Sequence, residues 1–388
     1  MTTSQANSKQ EAEKQFLEHE EGIRELSRWM YENPEIAFEE IETSARMVDM
    51  LRAGGFDVKA PAYGLETAFE ATVGTTGPTV VICAEMDALP EVGHACGHNI
   101  IAAAGIGAGI ALAPVAEKLG IRVTVLGTPA EEHFGGKVDL INAGAFEGVA
   151  AAMMIHPSPV DVVDPVFLAV DHIDVEFFGK ASHASSAPHL GVNALDAAVQ
   201  AYTAVAALRQ HTLDSDRIHG IITHGGAAPN IVPDHTTMSW YVRSATDARL
   251  NTLVEQVTAC FEGAARATGC TFKVSQTGHR YKDLRSDKVL AKLYSDNSRL
   301  AGRPMPYFAE VDAETSGSTD MGNVSHEVPA IHPMLSLACD PAVNHQREFA
   351  AATLTDKGME TIREGALAMA WTVIDLAEGD LWSQLGDT

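Results

Sequence analysis

The stretch from Asn99 to Ala113 constrains this chain more than any other. After Asn99 it holds only Ile, Ala, Gly and Leu. A helix that is apolar on every side must be buried. Two β-branched runs flank it, Thr79-Val80-Val81-Ile82 and Ile121-Arg122-Val123-Thr124-Val125-Leu126. Strand, buried helix and strand in succession predict a parallel pair in a sheet covered by helices. A short helix near 137–143 and a strand at 151–155 extend the alternation. Pro114 is expected to kink the buried helix or start a new one. Gly105-Ile106-Gly107-Ala108-Gly109 lacks the spacing of a dinucleotide loop and lies inside the helix, so it reads as close packing.

Open sheets of this kind place their sites outside the C-terminal ends of their strands. The first strand here leads into Glu85-Met86-Asp87-Ala88-Leu89-Pro90 and then Gly93-His94-Ala95-Cys96-Gly97-His98-Asn99. The second leads into Thr128-Pro129-Ala130-Glu131-Glu132-His133. Thiolate, imidazole and carboxylate together suit a zinc-type ion. This pattern predicts a metal-dependent hydrolase. His94 reads as structural, and His133 and His224 as neighbours of the site or of the substrate rather than ligands.

Length and charge bound the rest. With 388 residues the chain exceeds one usual core, so two domains are expected. The formal net charge of −25 argues against nucleic acid and anionic membranes as partners. No apolar run of about eighteen residues stands out, so no membrane span is expected. The polar N-terminus lacks the apolar core of a signal peptide. Five cysteines, an odd number in a large chain, argue against a disulfide framework and for a cytoplasmic setting.

The remaining chain reads as two patterns. Helices are expected over 11–32 and 39–51, with a weak strand at 67–73. Near residue 167 the order becomes strand, helix (191–210), strand (218–223), strand (237–242), helix (248–268) and strand (270–275), which is that of a ferredoxin-like unit. After Leu284 the first pattern returns, with a helix over 287–301, a strand over 330–338 and a long helix over 348–378. The expected fold class is therefore α/β. A mainly parallel sheet with flanking helices, residues 1–170 and 284–388, is interrupted by an α+β lid or dimerisation domain, 171–283. Asp320 is expected to cap the short helix that it opens.

Six stretches together resemble the M20 metallopeptidase family, in its amidohydrolase branch, subfamily D. They are Met86–Pro90, His94–Asn99, Pro129–Glu132, Gly179-Lys180-Ala181-Ser182-His183-Ala184-Ser185, Gly225-Gly226-Ala227-Ala228-Pro229-Asn230-Ile231-Val232-Pro233-Asp234 and Gly317-Ser318-Thr319-Asp320. The resemblance implies two divalent metal ions, zinc before manganese or cobalt. Cys96 would bridge them, and His98, Glu132, His156 and His345 would complete the ligand set, with His326 and His332 as competitors for the place of His345.

For catalysis the resemblance implies Glu131, Asp87 and His183. Glu131 would be the general base toward a metal-activated water, which becomes a nucleophile near neutral pH. Asp87 would hold a ligand imidazole in the right tautomer. His183 would stabilise the oxyanion, usually in a partner subunit's site, which implies a homodimer through the lid. Asn230 would line the substrate, and Arg243 is a candidate clamp for its carboxylate. Where other branches carry a ligand His two residues before the motif Asp, this chain has Glu85.

The implied activity is hydrolysis of an amide bond in an N-acyl amino acid, an aminobenzoyl-glutamate-like compound or a small dipeptide. Two alternatives are a catalytically silent binding or scaffolding protein of the same fold, and a hydrolase that uses Cys96 as nucleophile.

Overall fold

The chain, described by a computed structural model over residues 3–132, 134–308 and 317–386, opens with two helices, α1 (Thr3–Glu32) and α2 (Ile41–Ala53). Strands β1 (Asp57–Lys59), β2 (Phe69–Val73) and β3 (Thr79–Glu85) follow. The buried helix is α3 (His98–Leu119), and β4 (Arg122–Thr128), α4 (Gly136–Asn142), β5 (Val149–Met153) and β6 (His156–Ser158) complete this part. Next come β7 (Ala169–Phe178), α5 (Ala194–Leu208), β8 (Arg217–His224), β9 (His235–Ser244), α6 (Asp247–Thr268) and β10 (Thr271–Gln276). The chain ends with α7 (Lys288–Leu300), α8 (Met321–Glu327), β11 (Ala330–Ile331), β12 (Met334–Ser336), α9 (Arg347–Ala352) and α10 (Asp356–Glu378).

These elements form two compact units. The first is built on the residues up to Val166, the chain from Leu284, and Asp320 onward; the second is built on Phe167–Asp283 with Gly317, Ser318 and Thr319.

The first unit holds a six-stranded sheet in the order β1-β2-β4-β3-β5-β11. β3 pairs in parallel with both β4 and β5, and β5 with β11. β2 joins β4 antiparallel and β1 joins β2 antiparallel, so the sheet is mixed with a parallel centre. α3 packs between this sheet, α1 and α10. It runs unbroken through Pro114, so no new helix starts there. Gly109 allows its close approach, since a Cβ there would stand 2.3 Å from Val125 Cγ2. α3 is also long and apolar enough to cross a membrane, contrary to the sequence expectation, but 89% of its most apolar window is buried inside the unit.

Two expected elements break in two. The strand over 330–338 is β11 and β12, interrupted at His332-Pro333, because Pro333 has no N–H to give a ladder. The chain on the other side breaks at the same level: β5 pairs with β11, and β6 pairs with β12 in a separate two-stranded sheet. The long C-terminal helix is α9 and α10. Thr355 caps α10, its hydroxyl accepting from the Gly358 N–H.

The second unit has a four-stranded antiparallel sheet in the order β10-β7-β9-β8. Its core lies between one sheet face and the helices α5 and α6. Ile173, Val175 and Phe177 of β7 alternate inward with Met238, Trp240 and Val242 of β9.

Candidate metal centre

In the first unit the C-terminal ends of β3 and β4 bring the predicted ligands together. β3 ends at Glu85, and a turn carries the chain to Cys96, Gly97 and His98 at the start of α3. Gly97 has φ +86°, and a Cβ there would stand 2.7 Å from the Pro157 ring. Only glycine fits, and the turn therefore sits against the residue that follows His156. Beyond β4, Ala130 takes φ +59°. Its N–H is held by Glu40 Oε1 at 2.9 Å, and the bend sends Glu131 and Glu132 in different directions. His345, at φ +70°, is tied by its N–H to the Ala95 carbonyl at 2.8 Å.

Three groups of donor atoms result, each with all its atoms within 4.8 Å of one another: Cys96–His98–His156, Cys96–Glu132–His345 and Glu85–His98–Glu131. Cys96 Sγ lies 3.6 Å from both His156 Nε2 and His345 Nε2. Glu132 Oε2 lies 3.5 Å from His345 Nε2. A tetrahedral zinc-type ion, with bonds of about 2.3 Å to sulfur and about 2.0–2.1 Å to nitrogen, sets such donors roughly 3.3–3.6 Å apart. The donor set thus fits divalent metal on spacing as well as on chemistry.

The ligand tautomers are also set. His156 Nδ1 donates to the Pro157 carbonyl at 2.7 Å, which leaves Nε2 with a lone pair toward Cys96. His98 Nδ1 donates to Asp87 Oδ1 at 3.1 Å, leaving Nε2 toward the centre. Asp87 Oδ2 accepts the Glu132 N–H at 3.0 Å, so one carboxylate orients residues from both strand ends.

The charges explain the titration behaviour. Burial raises the Asp87 carboxyl, but the His98 ring and the Glu132 N–H outweigh it and hold Asp87 below its usual range. Burial, and then the charges of Glu85 and Glu132, push Glu131 well above the carboxylate range. Burial and Glu132 likewise push the Cys96 thiol well up. Burial lowers His156 to about 4 and His94 to about 3.

One residue of this centre, Lys137, escapes a reading of the sequence. Lys137 is fully buried. Its Nζ lies 2.5 Å from Glu85 Oε1 and 2.7 Å from Asp320 Oδ1. Asp320 Oδ2 also accepts the Lys137 N–H at 2.9 Å. Asp320 makes no capping bond to α8, so the expected capping role is replaced by this ion pair. The His332 ring lies tilted against His156, with centroids 5.3 Å apart, and belongs to none of the donor groups, so it does not displace His345. His133 lies outside the described residues.

His183, Asn230 and Arg243 belong to the second unit. His183 Nδ1 accepts the N–H groups of Ser185 and Ser186 at 3.2 and 3.1 Å. Its proton is therefore on Nε2, which is a donor. The Asn230 carbonyl accepts the Ala184 N–H at 3.0 Å, which joins the two predicted stretches. Arg243 is half-buried, and its Nη1 donates to Ser318 Oγ at 2.6 Å.

This fold and donor set define a metal-dependent hydrolase, and comparison with known proteins gives the family. A family model described as a peptidase dimerisation domain matches residues 171–268. The mouse protein named Xaa-Arg dipeptidase is 38% identical over 385 residues, covering 95% of this chain and 88% of the relative. One subunit of the Escherichia coli p-aminobenzoyl-glutamate hydrolase is 30% identical over 268 residues, covering 64% of this chain and 56% of the relative. The crystal structure of the Bacillus subtilis YxeP protein, described as a dinuclear metal binding peptidase from the M20 family, superposes with a TM-score of 0.70 at 20% identity. That match covers 92% of this chain and 98% of the other. The chain belongs to the M20 family of metallopeptidases and amidohydrolases.

Proposed function

We propose that this M20 amidohydrolase is a two-metal dipeptidase that removes a C-terminal residue bearing a free carboxylate. The observation that carries the reading is Cys96 at the junction of two three-donor groups, with Glu131 beside them. The dipeptide assignment follows the relative named Xaa-Arg dipeptidase, similar over nearly the whole chain.

Cys96, His98 and His156 would hold one ion, and Cys96, Glu132 and His345 the other; a thiolate in both sets favours zinc. Bound there, divalent ions polarise the scissile carbonyl and ease the loss of a proton from water. Glu131 takes that proton and hands it to the leaving amine. Asp87 keeps the His98 Nε2 lone pair directed inward. We assign oxyanion stabilisation to His183, supported by its Nε2–H tautomer, and the carboxylate clamp to Arg243. We also infer a homodimer formed through the second unit, supported by the family match and by the exposed Leu190, Val199, Tyr202, Ile221 and Ile231 there. A nucleophilic role for Cys96 is disfavoured, because burial and Glu132 oppose its thiolate unless a cation sits beside it.

The test is hydrolysis of Xaa-Arg dipeptides, N-acyl amino acids and p-aminobenzoyl-glutamate, before and after chelation and re-addition of zinc, manganese or cobalt. Cleavage of Xaa-Arg dipeptides that is lost on chelation and restored by one ion supports the reading. Activity indifferent to chelation overturns the mechanism, and preference for p-aminobenzoyl-glutamate overturns the substrate.

A further inference from the structure

We propose that Glu40 is a positioning residue for the reaction: by holding the Ala130 N–H it sets the place of the Glu131 carboxylate. The proposal rests on the reading of Glu131 as general base, and it concerns a residue to which that reading gives no role.

Three observations carry it. First, Glu40 stands at the N-cap position of α2, yet its side chain makes no capping bond. A polar side chain there ordinarily accepts from the N–H groups of its own first turn. Glu35 does so instead, its carboxylate accepting the Glu42 and Thr43 N–H groups at 3.1 and 2.8 Å. The Glu40 side chain is fully buried, turns away to the end of β4, and accepts the Ala130 N–H at 2.9 Å. A buried carboxylate is costly to keep, and α2 does not need this one for its cap.

Second, the amide that Glu40 holds belongs to a strained residue. Ala130 has φ +59°, where a Cβ crowds the following carbonyl oxygen. Such a conformation persists only where the surroundings fix it. Here both backbone groups of Ala130 are fixed, the N–H by Glu40 and the carbonyl by the Gly135 N–H at 2.9 Å. Glu131 follows at once, and beyond it the Glu132 N–H is held by Asp87 Oδ2 at 3.0 Å. Glu131 thus lies between two side-chain anchors. Asp87 secures the Glu132 side of it, and Glu40 secures the approach from β4.

Third, the segment that carries Glu40 is itself fastened to the other strand end. The Glu35 carbonyl accepts the N–H of Ala88, the residue after Asp87, at 2.8 Å, and Ile36 forms a β-bridge with Ala88. The Phe38 ring packs on Phe134, two positions beyond Glu132, with centroids 5.5 Å apart. The connector between α1 and α2 therefore touches the turns beyond both β3 and β4. Glu40 is its link to the residue that precedes Glu131. A proton carrier displaced by about 1 Å loses much of its effect, so this link reaches the reaction without touching substrate.

The test compares Glu40→Ala, Glu40→Asp and Glu40→Gln with the wild type. The readings are hydrolysis of an Xaa-Arg dipeptide, bound metal, and deuterium exchange of residues 129–132 in the metal-free proteins. Glutamine keeps an acceptor oxygen at the same reach and alanine removes it. Aspartate withdraws it by one methylene, and carries the test if Glu40→Ala does not fold. The expected result for Ala and Asp is a kcat lower by roughly 10–100-fold, with KM within about twofold and metal content unchanged. Their 129–132 segment should also exchange faster, and Glu40→Gln should match the wild type in every reading. Wild-type kcat in the Ala and Asp variants overturns the proposal. So does a Glu40→Gln protein as impaired as Glu40→Ala, which would make Glu40 a charge rather than an anchor. Loss of metal from the variants overturns it too, by placing the effect on Glu132. Glu131→Gln is measured alongside: if it is fully active, the base reading itself fails and the role of Glu40 falls with it.

Discussion

Replacing Asp87 with asparagine should weaken the metal centre without touching a ligand. Asp87 makes two hydrogen bonds, one to each strand end: Oδ1 accepts from His98 Nδ1 at 3.1 Å in a buried bond and Oδ2 from the Glu132 N–H at 3.0 Å in a part-buried one. Both partners donate, and an amide offers only one acceptor oxygen. If the oxygen stays on His98, the NH2 group meets the Glu132 N–H. A buried donor then lacks a partner, at a cost of about 1–3 kcal/mol. If the amide turns over, the NH2 group faces His98 and draws the lone pair to Nδ1, which moves the proton to Nε2 and blocks ligation. Either outcome should weaken binding of one ion by about 10–100-fold, which is roughly 1.4–2.8 kcal/mol. Competition for zinc between the D87N protein and a chromophoric chelator at neutral pH measures this directly. Affinity within about twofold of wild type would refute the claim that Asp87 orients His98.

Three further outcomes are expected. Glu131→Gln should keep its full metal content and lose kcat by roughly 10²–10⁴-fold, because only the proton carrier is removed; loss of metal would make Glu131 a ligand instead. His183→Ala should lose kcat by roughly 10²–10³-fold with metal retained, and a fully active variant would end its oxyanion role. Burial lowers His332 to about 3 in the folded protein. The unfolded chain therefore binds a proton at His332 below its ordinary value of about 6.5 while the folded protein does not, so stability falls as pH falls through that range. From near neutrality to about pH 5 this amounts to about 2 kcal/mol, and urea unfolding of the metal-free His332→Gln protein should show a pH slope shallower than wild type by that amount. Equal slopes would contradict it.

What could be read in the sequence follows from where each residue gets its partner. The parallel centre of the sheet was legible because α3 is apolar on every side and its flanking strands are β-branched, and both are local patterns. Cys96, His98 and the Glu131-Glu132 pair were legible because each stands just beyond a strand end, where the fold must place it. Breaks that depend on tertiary pairing were not. The segment over 330–338 has the composition of one strand, but its two halves join different sheets, β11 with β5 and β12 with β6.

Lys137 shows the limit most clearly. In Gly135-Gly136-Lys137 it reads as a solvated residue at a helix start, since an isolated lysine gains nothing from burial. Its burial makes sense only beside Glu85, 52 positions earlier, and Asp320, 183 positions later. No local pattern announces either partner. The same holds for Glu40, whose grip on the Ala130 N–H spans 90 positions and fixes the bend that separates the two glutamates. The sequence thus displays the donors that gather at the candidate centre, because their chemistry is rare and clustered. It hides Glu40 and Lys137, whose partners come only when distant strand ends are brought together.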